Sequence, residues 1–264
     1  MKVIKLKLKR ILVVVLATMT IAGTSVMALP VSAASSSTSA TSAKVTSKDY
    51  ADDTYKTKAD KAKKTTAYKK AKTNMRKVGI IAESQANLEF SSIRFAAEAY
   101  SNRFDYIDWC GYFIQWCFKQ AGYKPLKTGV SSDPESLGMA ANKTYFTVNG
   151  TIRLSANCPF DKSFVKNVTK KNIAVKNIPF KVGGLLSFGN TNRLMGYTKA
   201  GKPIYYFSLP AIVTSVSTYG DTKVIGYVYG DSNTCTRYKT FTINTKTGKV
   251  SGLGDRIIMS YSEY

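Results

Sequence analysis

The chain has 264 residues, of which 44% are hydrophobic and 12% aromatic, so it can bury a substantial core and is not disordered as a whole. Its 39 Lys and Arg residues outnumber 16 Asp and Glu residues, and the resulting net charge of +23 favours an anionic environment. Histidine is absent. That absence excludes Ser-His-Asp and Cys-His catalysis, and it excludes zinc sites that use histidine ligands.

The N-terminus has the order of a secretory signal peptide. The basic stretch Met1–Arg10 precedes the apolar stretch Ile11–Ala22, and a small-residue cleavage motif ends at Ala33. We expect residues 1–33 to be removed by cleavage before Ala34, which yields a secreted or cell-wall-associated protein. Removal of the five basic residues lowers the net charge from +23 to +18. An uncleaved membrane anchor is the alternative, but Thr, Gly and Ser interrupt the extension of the apolar stretch.

Two segments of biased composition follow the cleavage site. Residues 34–47 are mostly Ser, Thr and Ala, which is typical of a flexible linker. Residues 48–77 are rich in Lys and form a helical or disordered arm, because they have helix propensity without a sustained apolar stripe. The arm is either a solvated, fraying helix or an electrostatic tether for anionic wall polymers or a membrane surface, and both can hold. Nucleic acid is not expected as a partner, because the chain is exported and carries no base-reading motif.

Residues 78–264 form the predicted globular domain. Apolar positions up to Phe95 predict one or two helices, and Asp108–Ala121 is a clearer helix with Asp108 as its N-cap and Gly122 after its end. Helices followed by a run of adjacent strands predict an α+β fold with an antiparallel sheet. The predicted strands are Leu185–Phe188, Ile204–Phe207, Ala211–Ser217, Lys223–Tyr229, Tyr238–Ile243 and Arg256–Met259.

Cysteine spacing argues against a disulfide scaffold and against a metal site. Cys110 and Cys117 lie about 10 Å apart on the predicted helix, too far to form a disulfide. Cys158 with Cys235 is the one pairing that their sequence separation leaves open. No Cys-x-x-Cys pair is present, so we expect no metal and no other cofactor.

One stretch of the domain resembles a known family. Asp108–Tyr123, DWCGYFIQWCFKQAGY, is similar to the nucleophile helix of the secreted CHAP and NlpC-type amidases, papain-like cysteine hydrolases that cut peptidoglycan peptides. Three further stretches are similar to family elements in the family's order, and they are Ile81–Gln85, Lys181–Phe188 and Ala211–Val216. The resemblance covers Ile80 to about Tyr229. It implies a papain-like fold in which N-terminal helices and the nucleophile helix pack on an antiparallel sheet.

The resemblance also implies roles for individual residues. Cys110 takes the nucleophile position, and Trp109 and Gly111 beside it take substrate-binding positions. The polar residue that orients the catalytic histidine in the family corresponds to Asp231 or Asn233. Peptidoglycan peptides are the substrate class that the resemblance implies.

Elementary physics supports the nucleophile position. A cysteine at the second position of a helix lies beside unpaired backbone amides and the positive end of the helix dipole, and both favour thiolate over thiol. The alternative is that Cys110 is a small buried hydrophobe, which is the expected role of Cys117.

The sequence departs from the family at the base. Leu209 stands where the family has its catalytic histidine, Pro210 follows it, and Gly184 replaces an aspartate on the neighbouring strand. A cysteine hydrolase needs a base that takes the thiol proton and later protonates the leaving amine. Losing general acid catalysis alone costs ~10²–10⁴ in rate. We therefore expect a catalytically impaired amidase or endopeptidase that binds wall peptides and anionic wall polymers.

Two other functions remain open from the sequence. The first is an active hydrolase that uses Cys110 with a non-histidine base, although Tyr and Lys have ordinary pKa values near 10. The second is an interaction protein with a vestigial cleft, in which Leu209 and Pro210 belong to a newly exposed apolar patch. For the active hydrolase, the candidate tyrosine bases are Tyr205, Tyr206 and Tyr229.

Overall fold

The computed structural model describes residues 54–101, 109–123, 141–147, 168–197, 201, 203–231 and 234–264. The predicted cleavage site, the linker and the start of the Lys-rich arm therefore lie outside the described residues. The helices are α1 (Thr54–Lys64), α2 (Thr66–Lys69), α3 (Asn74–Ser84), α4 (Ile93–Ser101), α5 (Trp109–Gln120) and a 3-10 turn, Val175–Asn177. The strands are β1 (Lys143–Thr147), β2 (Val168–Ile173), β3 (Leu185–Tyr197), β4 (Pro203–Tyr219), β5 (Thr222–Gly230), β6 (Thr236–Asn244), β7 (Val250–Ser251) and β8 (Arg256–Glu263).

The strands form one eight-stranded sheet in the order β2-β1-β8-β3-β4-β5-β6-β7. Neighbouring strands run antiparallel, except for the parallel pair β1 and β2. The C-terminal strand β8 is inserted between β1 and β3, so it lies inside the sheet and not at its edge. The expected α+β class with an antiparallel sheet is confirmed.

Both faces of the sheet are covered by apolar side chains. Because successive residues of a strand point to opposite faces, Leu185 belongs to a core shared with the helices, whereas Leu186 belongs to a second core on the other face. Ile178 and Phe180, which precede β3, help to cover that second face. The two clusters are called the helical core and the second core below.

Helix α5 ends as its sequence predicts. Gly122 adopts a left-handed φ of +87°, which an L side chain rarely adopts. The Gly122 N–H donates to the Lys119 carbonyl at 3.0 Å, and the Tyr123 N–H donates to the Phe118 carbonyl at 3.1 Å. These two bonds satisfy carbonyls that the helix end would otherwise leave unpaired. The predicted N-cap, Asp108, lies outside the described residues.

Strand β4 joins two segments that the sequence predicts as separate strands. Leu209 and Pro210 continue the ladder opposite Phe188 and Ser187 of β3. The ladder from β4 to β5 begins only at Ile212, so the strand is paired on one side at Pro210. A proline, which cannot donate a backbone hydrogen bond, is tolerated at such a locally unpaired edge.

Helix α1, a part of the Lys-rich segment, packs one face into the domain, a question that the sequence left open. Tyr55, Ala59 and Ala62 are all buried and belong to the helical core. Their spacing of four and three residues places them on one face of the helix. Two of the three are alanines, which contribute little hydrophobicity to a window rich in lysine, so the stripe is hard to detect in the sequence.

Gln85 ties α1 to the rest of the domain. Its side chain is fully buried, and its Nε2 donates to the Tyr55 carbonyl at 3.1 Å. Its Oε1 accepts from the Tyr100 hydroxyl at 3.2 Å, and its backbone carbonyl accepts from the Thr236 hydroxyl. A buried polar group of this kind is stable only when its partners are in place. Gln85 thus couples α1, α4 and β6.

Three cysteines, Cys110, Cys117 and Cys235, lie within the described residues, and all three are buried. Cys110 and Cys117 are unbridged, as their spacing predicts. The pairing of Cys158 with Cys235 that the sequence left open involves Cys158, which lies outside the described residues. Within the described ranges, no helix combines the length and the apolar character needed to cross a membrane.

Candidate functional site

Cys110 lies in the first turn of α5 and is 6% exposed. It belongs to the second core, whereas its neighbour Trp109 and the following Phe113 belong to the helical core. The start of α5 therefore contributes to both cores. Leu209 belongs to the same second core as Cys110. The structure thus brings the proposed nucleophile position and the proposed base position into one buried cluster.

The position that the sequence resemblance assigns to the base is apolar and enclosed. Leu209 is 7% exposed and pairs across the sheet with Phe188, which is fully buried. Pro210 is also buried, so Leu209 and Pro210 do not form the exposed apolar patch that one alternative required. A leucine side chain has no group that accepts or donates a proton.

Two tyrosines of β5 share the cluster with Cys110. The Tyr227 and Tyr229 rings stack with their centres 5.9 Å apart, and the Arg256 guanidinium lies 4.5 Å from the centre of the Tyr229 ring. Burial raises the pKa of Tyr227, and the charge and hydrogen bond of Arg256 only partly oppose that shift. The Tyr227 hydroxyl is therefore protonated at neutral pH and is a poor acceptor for a thiol proton.

Sequence reasoning named Tyr229 and missed Tyr227 and Arg256. The alternation of side chains in a strand places residues 227 and 229 on one face, so the sequence pattern could have identified Tyr227 as well. Arg256 belongs to β8, and its place over β5 depends on the strand order. Tyr205 is half-buried on β4, and the side chain of Tyr206 lies outside the described set.

Trp109 and Gly111 are both buried. The Trp109 ring stacks on Tyr100 at 5.7 Å between ring centres, and a Cβ at Gly230 would lie 2.6 Å from the indole. Its Nε1 has no hydrogen-bond partner among the described residues. In this arrangement Trp109 supports the start of α5 and does not line an exposed surface.

Asp231 and Asn233 are the two residues that the resemblance assigns to orienting a catalytic histidine, and the structure describes only the first of them. Asp231 directly follows β5, and its carboxylate accepts from Arg237 Nε at 2.7 Å. The Asp231 carboxylate is therefore already paired with Arg237, next to the connection between β5 and β6. Asn233 lies outside the described residues.

An aromatic ring takes the space at Gly184, where the family has an aspartate. A Cβ at this position would lie 2.6 Å from the ζ carbon of Tyr261, and its overlap with the hydroxyl would be closer still. The Tyr261 hydroxyl accepts from the Lys181 N–H at 2.9 Å, and burial raises the pKa of this tyrosine well above its usual value. The Tyr261 ring of β8 therefore fills the space beside Gly184.

Cys117 has the structural role that the sequence predicts. It is fully buried in the helical core, and burial raises the pKa of its thiol well above the usual value. A protonated, buried thiol is unreactive. Among the described residues, no group of three His, Cys, Asp or Glu side chains is placed to hold a metal ion.

Neither a protein-family model nor a curated protein nor a solved structure matches this chain.

Proposed function

We propose that this protein is a secreted, cell-wall-associated domain of papain-like, CHAP/NlpC-like fold that binds peptidoglycan peptide without cutting it efficiently. The observation that carries the proposal is that Cys110 and Leu209 belong to one buried cluster. Cys110 lies in the first turn of α5, and Leu209 lies in the same buried cluster at the position of the missing base. The four family-like stretches and the helices packed on an antiparallel sheet support the same assignment.

The chemistry of the site favours binding over catalysis. Attack by Cys110 on a peptide carbonyl requires removal of the thiol proton, and departure of the amine requires that a proton be returned to it. The start of α5 favours a thiolate through the helix dipole, and the burial of Cys110 opposes this effect. The helix start holds no transferable proton for the leaving amine, and Leu209 supplies none.

An active hydrolase with a tyrosine base is the second candidate function. It is favoured by the presence of Tyr227 and Tyr229 in the same cluster as Cys110. It is opposed by the raised pKa of Tyr227, because a general base works best when its pKa lies near the operating pH. We therefore place this candidate second.

The basic residues of α1 to α3 support anionic wall polymers as a second ligand. The exposed cations of this segment, called the basic face below, are Lys56, Lys58, Lys61, Lys64, Lys69, Lys70, Lys72 and Arg76. Since α1 is packed into the helical core, the domain carries these charges on ordered helices. A linear polyanion of the wall has the charge that this surface would attract.

A dye-release assay on purified walls tests the loss of catalysis. We expect the wild type and Cys110→Ala to release equal, negligible amounts of peptide, because the wild type has a nucleophile without a base. Leu209→His should restore activity only in part, since the new imidazole would face Phe188 and since Asp231 is held by Arg237. Catalytic groups need their geometry fixed within ~0.5 Å.

Labelling with a thiol reagent at graded pH separates the two candidate functions. Cys117→Ala is the matched control, because it removes a thiol of the same helix that burial keeps protonated. Strong wild-type release that disappears in Cys110→Ala, together with rapid labelling of Cys110 at neutral pH, would establish the active hydrolase instead. Failure of the protein to sediment with walls would reject the binding function.

Export has its own test. The order of basic, apolar and small residues at the N-terminus predicts cleavage after Ala33. N-terminal sequencing of protein from the culture medium should therefore begin at Ala34. Retention of Met1 on protein found in the membrane fraction would show that the segment is an anchor.

A further inference from the structure

A small surface cavity lies at the start of β8, away from Cys110. Its volume is about 250 Å³, and the 3-10 turn, β7 and the connection from β7 to β8 enclose it. Its apolar lining includes Val175, Val250, Leu253 and Ile258, which all belong to the second core or pack against it. The floor of the cavity is therefore the uncovered end of that core.

Among the described residues, Arg256 alone brings a charge to the lining of the cavity. It is half-buried, and its guanidinium lies over the Tyr229 ring and hydrogen-bonds the Tyr227 side chain. None of the ion pairs formed among the described residues includes Arg256. The neighbouring Asp255 does not line the cavity, and its carboxylate accepts from Asn192 Nδ2 at 3.1 Å.

The walls of the cavity are held in place by backbone hydrogen bonds. The Arg256 N–H donates to the Leu253 carbonyl at 3.2 Å, which closes the turn at the cavity rim. The Thr191 N–H donates to the Asp255 carbonyl at 2.9 Å, which fixes the same turn to β3. A site that is formed before its ligand arrives avoids the cost of ordering loops on binding.

A half-buried guanidinium that forms no ion pair with a described carboxylate is suited to a planar anion. Arginine offers paired N–H donors that match a carboxylate, and an aromatic ring beneath it fixes the plane of those donors. The cavity is smaller than the roughly 300–1,000 Å³ typical of sites for drug-sized ligands, so it fits a small ligand. The adjoining floor is apolar, which favours a ligand with an aliphatic body.

We propose that this cavity binds a small aliphatic carboxylate, with the carboxylate on Arg256 and the aliphatic body against Val175, Leu253 and Ile258. The proposal is independent of the proposed function, because neither Cys110 nor Leu209 lines the cavity. Such a carboxylate is either the C-terminus of a short peptide with small side chains or a free short-chain acid. The two sources share the same chemistry at Arg256 and differ in the chain attached to it.

Isothermal titration of the full-length protein tests the site with four probes. The probes are N-acetyl-alanyl-alanine, its C-terminal amide, hexanoate and hexanamide. We expect at least one acid to bind, and its amide to bind about tenfold more weakly, since the amide cannot form charge-assisted hydrogen bonds with the guanidinium. Binding of the peptide acid alone identifies a peptide C-terminus, and binding of hexanoate identifies a free acid.

Variants locate the binding. Arg256→Gln should weaken binding of the acid about tenfold. Lys249→Gln is the matched control, because it removes the same charge from an exposed residue beside the cavity that does not line it. Leu253→Trp fills the cavity from its rim and leaves Arg256 unchanged, so it should abolish binding. A thermal melt of each variant by circular dichroism confirms that it is folded.

Three results would overturn the proposal. The first is that neither acid binds the wild type, and the second is that the amides bind as tightly as the acids. The third is that Lys249→Gln weakens binding as much as Arg256→Gln, which would mean that the ligand responds to net charge and not to the cavity.

Discussion

Gly183→Ala should destabilise the domain more than any other single methyl addition considered. A Cβ at this position would overlap the Met75 backbone of α3, and the residue adopts a φ of +90°. The left-handed backbone costs about 1–2 kcal/mol for an alanine, and the overlap with a helix backbone adds a further steric cost. The Gly183 N–H also donates to the Val213 carbonyl at 2.7 Å, so the residue cannot move away from α3 without breaking this hydrogen bond to β4. We expect a loss of about 4 kcal/mol or more in the free energy of unfolding.

Gly201→Ala is the matched control for this substitution. Gly201 also has a positive φ, +72°, but nothing lies within 4 Å of a Cβ placed there. It should lose only about 1 kcal/mol, the cost of the backbone conformation. Urea denaturation followed by circular dichroism measures both values. Similar midpoints for the two variants would show that α3 does not approach β3 as closely as the structure has it.

Binding to walls should fall steeply when charges are removed from the basic face. Lys58, Lys61 and Lys64 follow one another at intervals of three residues along α1 and are all exposed. A lysine near an anionic surface contributes on the order of 1 kcal/mol, so changing all three to Gln should weaken binding about a hundredfold. Added salt should have a similar effect, because the screening length falls from about 10 Å at 0.1 M to about 3 Å at 1 M.

A second triple variant separates the basic face from net charge. Lys143, Lys239 and Lys249 are exposed on the sheet or its connections, and changing them to Gln removes the same charge. Co-sedimentation with walls, before and after removal of their teichoic polymers, measures both triple variants. The basic face is supported if the α1 variant alone loses binding to intact walls. Equal losses in the two variants, or binding unchanged by salt, would reject it.

Several elements can be predicted from local signals in the amino-acid sequence. Helix α5 is specified by apolar residues at helical spacing and by Gly122, whose lack of a Cβ permits the left-handed end. The turn at Gly220 and the strands around it follow from alternating β-branched and aromatic residues. The main constraint on catalysis is the absence of histidine, which is read from the composition without knowledge of the fold.

Contacts between distant segments of the chain depend on the tertiary structure. Tyr55, Ala59 and Ala62 form a weak stripe that becomes a buried face only because Gln85 and the aromatic rings of α4 and α5 receive it. The alternation along β5 predicts that Tyr227 and Tyr229 share a face, but only the strand order brings Arg256 over them. The apolar surroundings of Cys110 likewise come from strands far apart in the chain. Local periodicity carries no information about such pairings, because they depend on which strands become neighbours in the sheet.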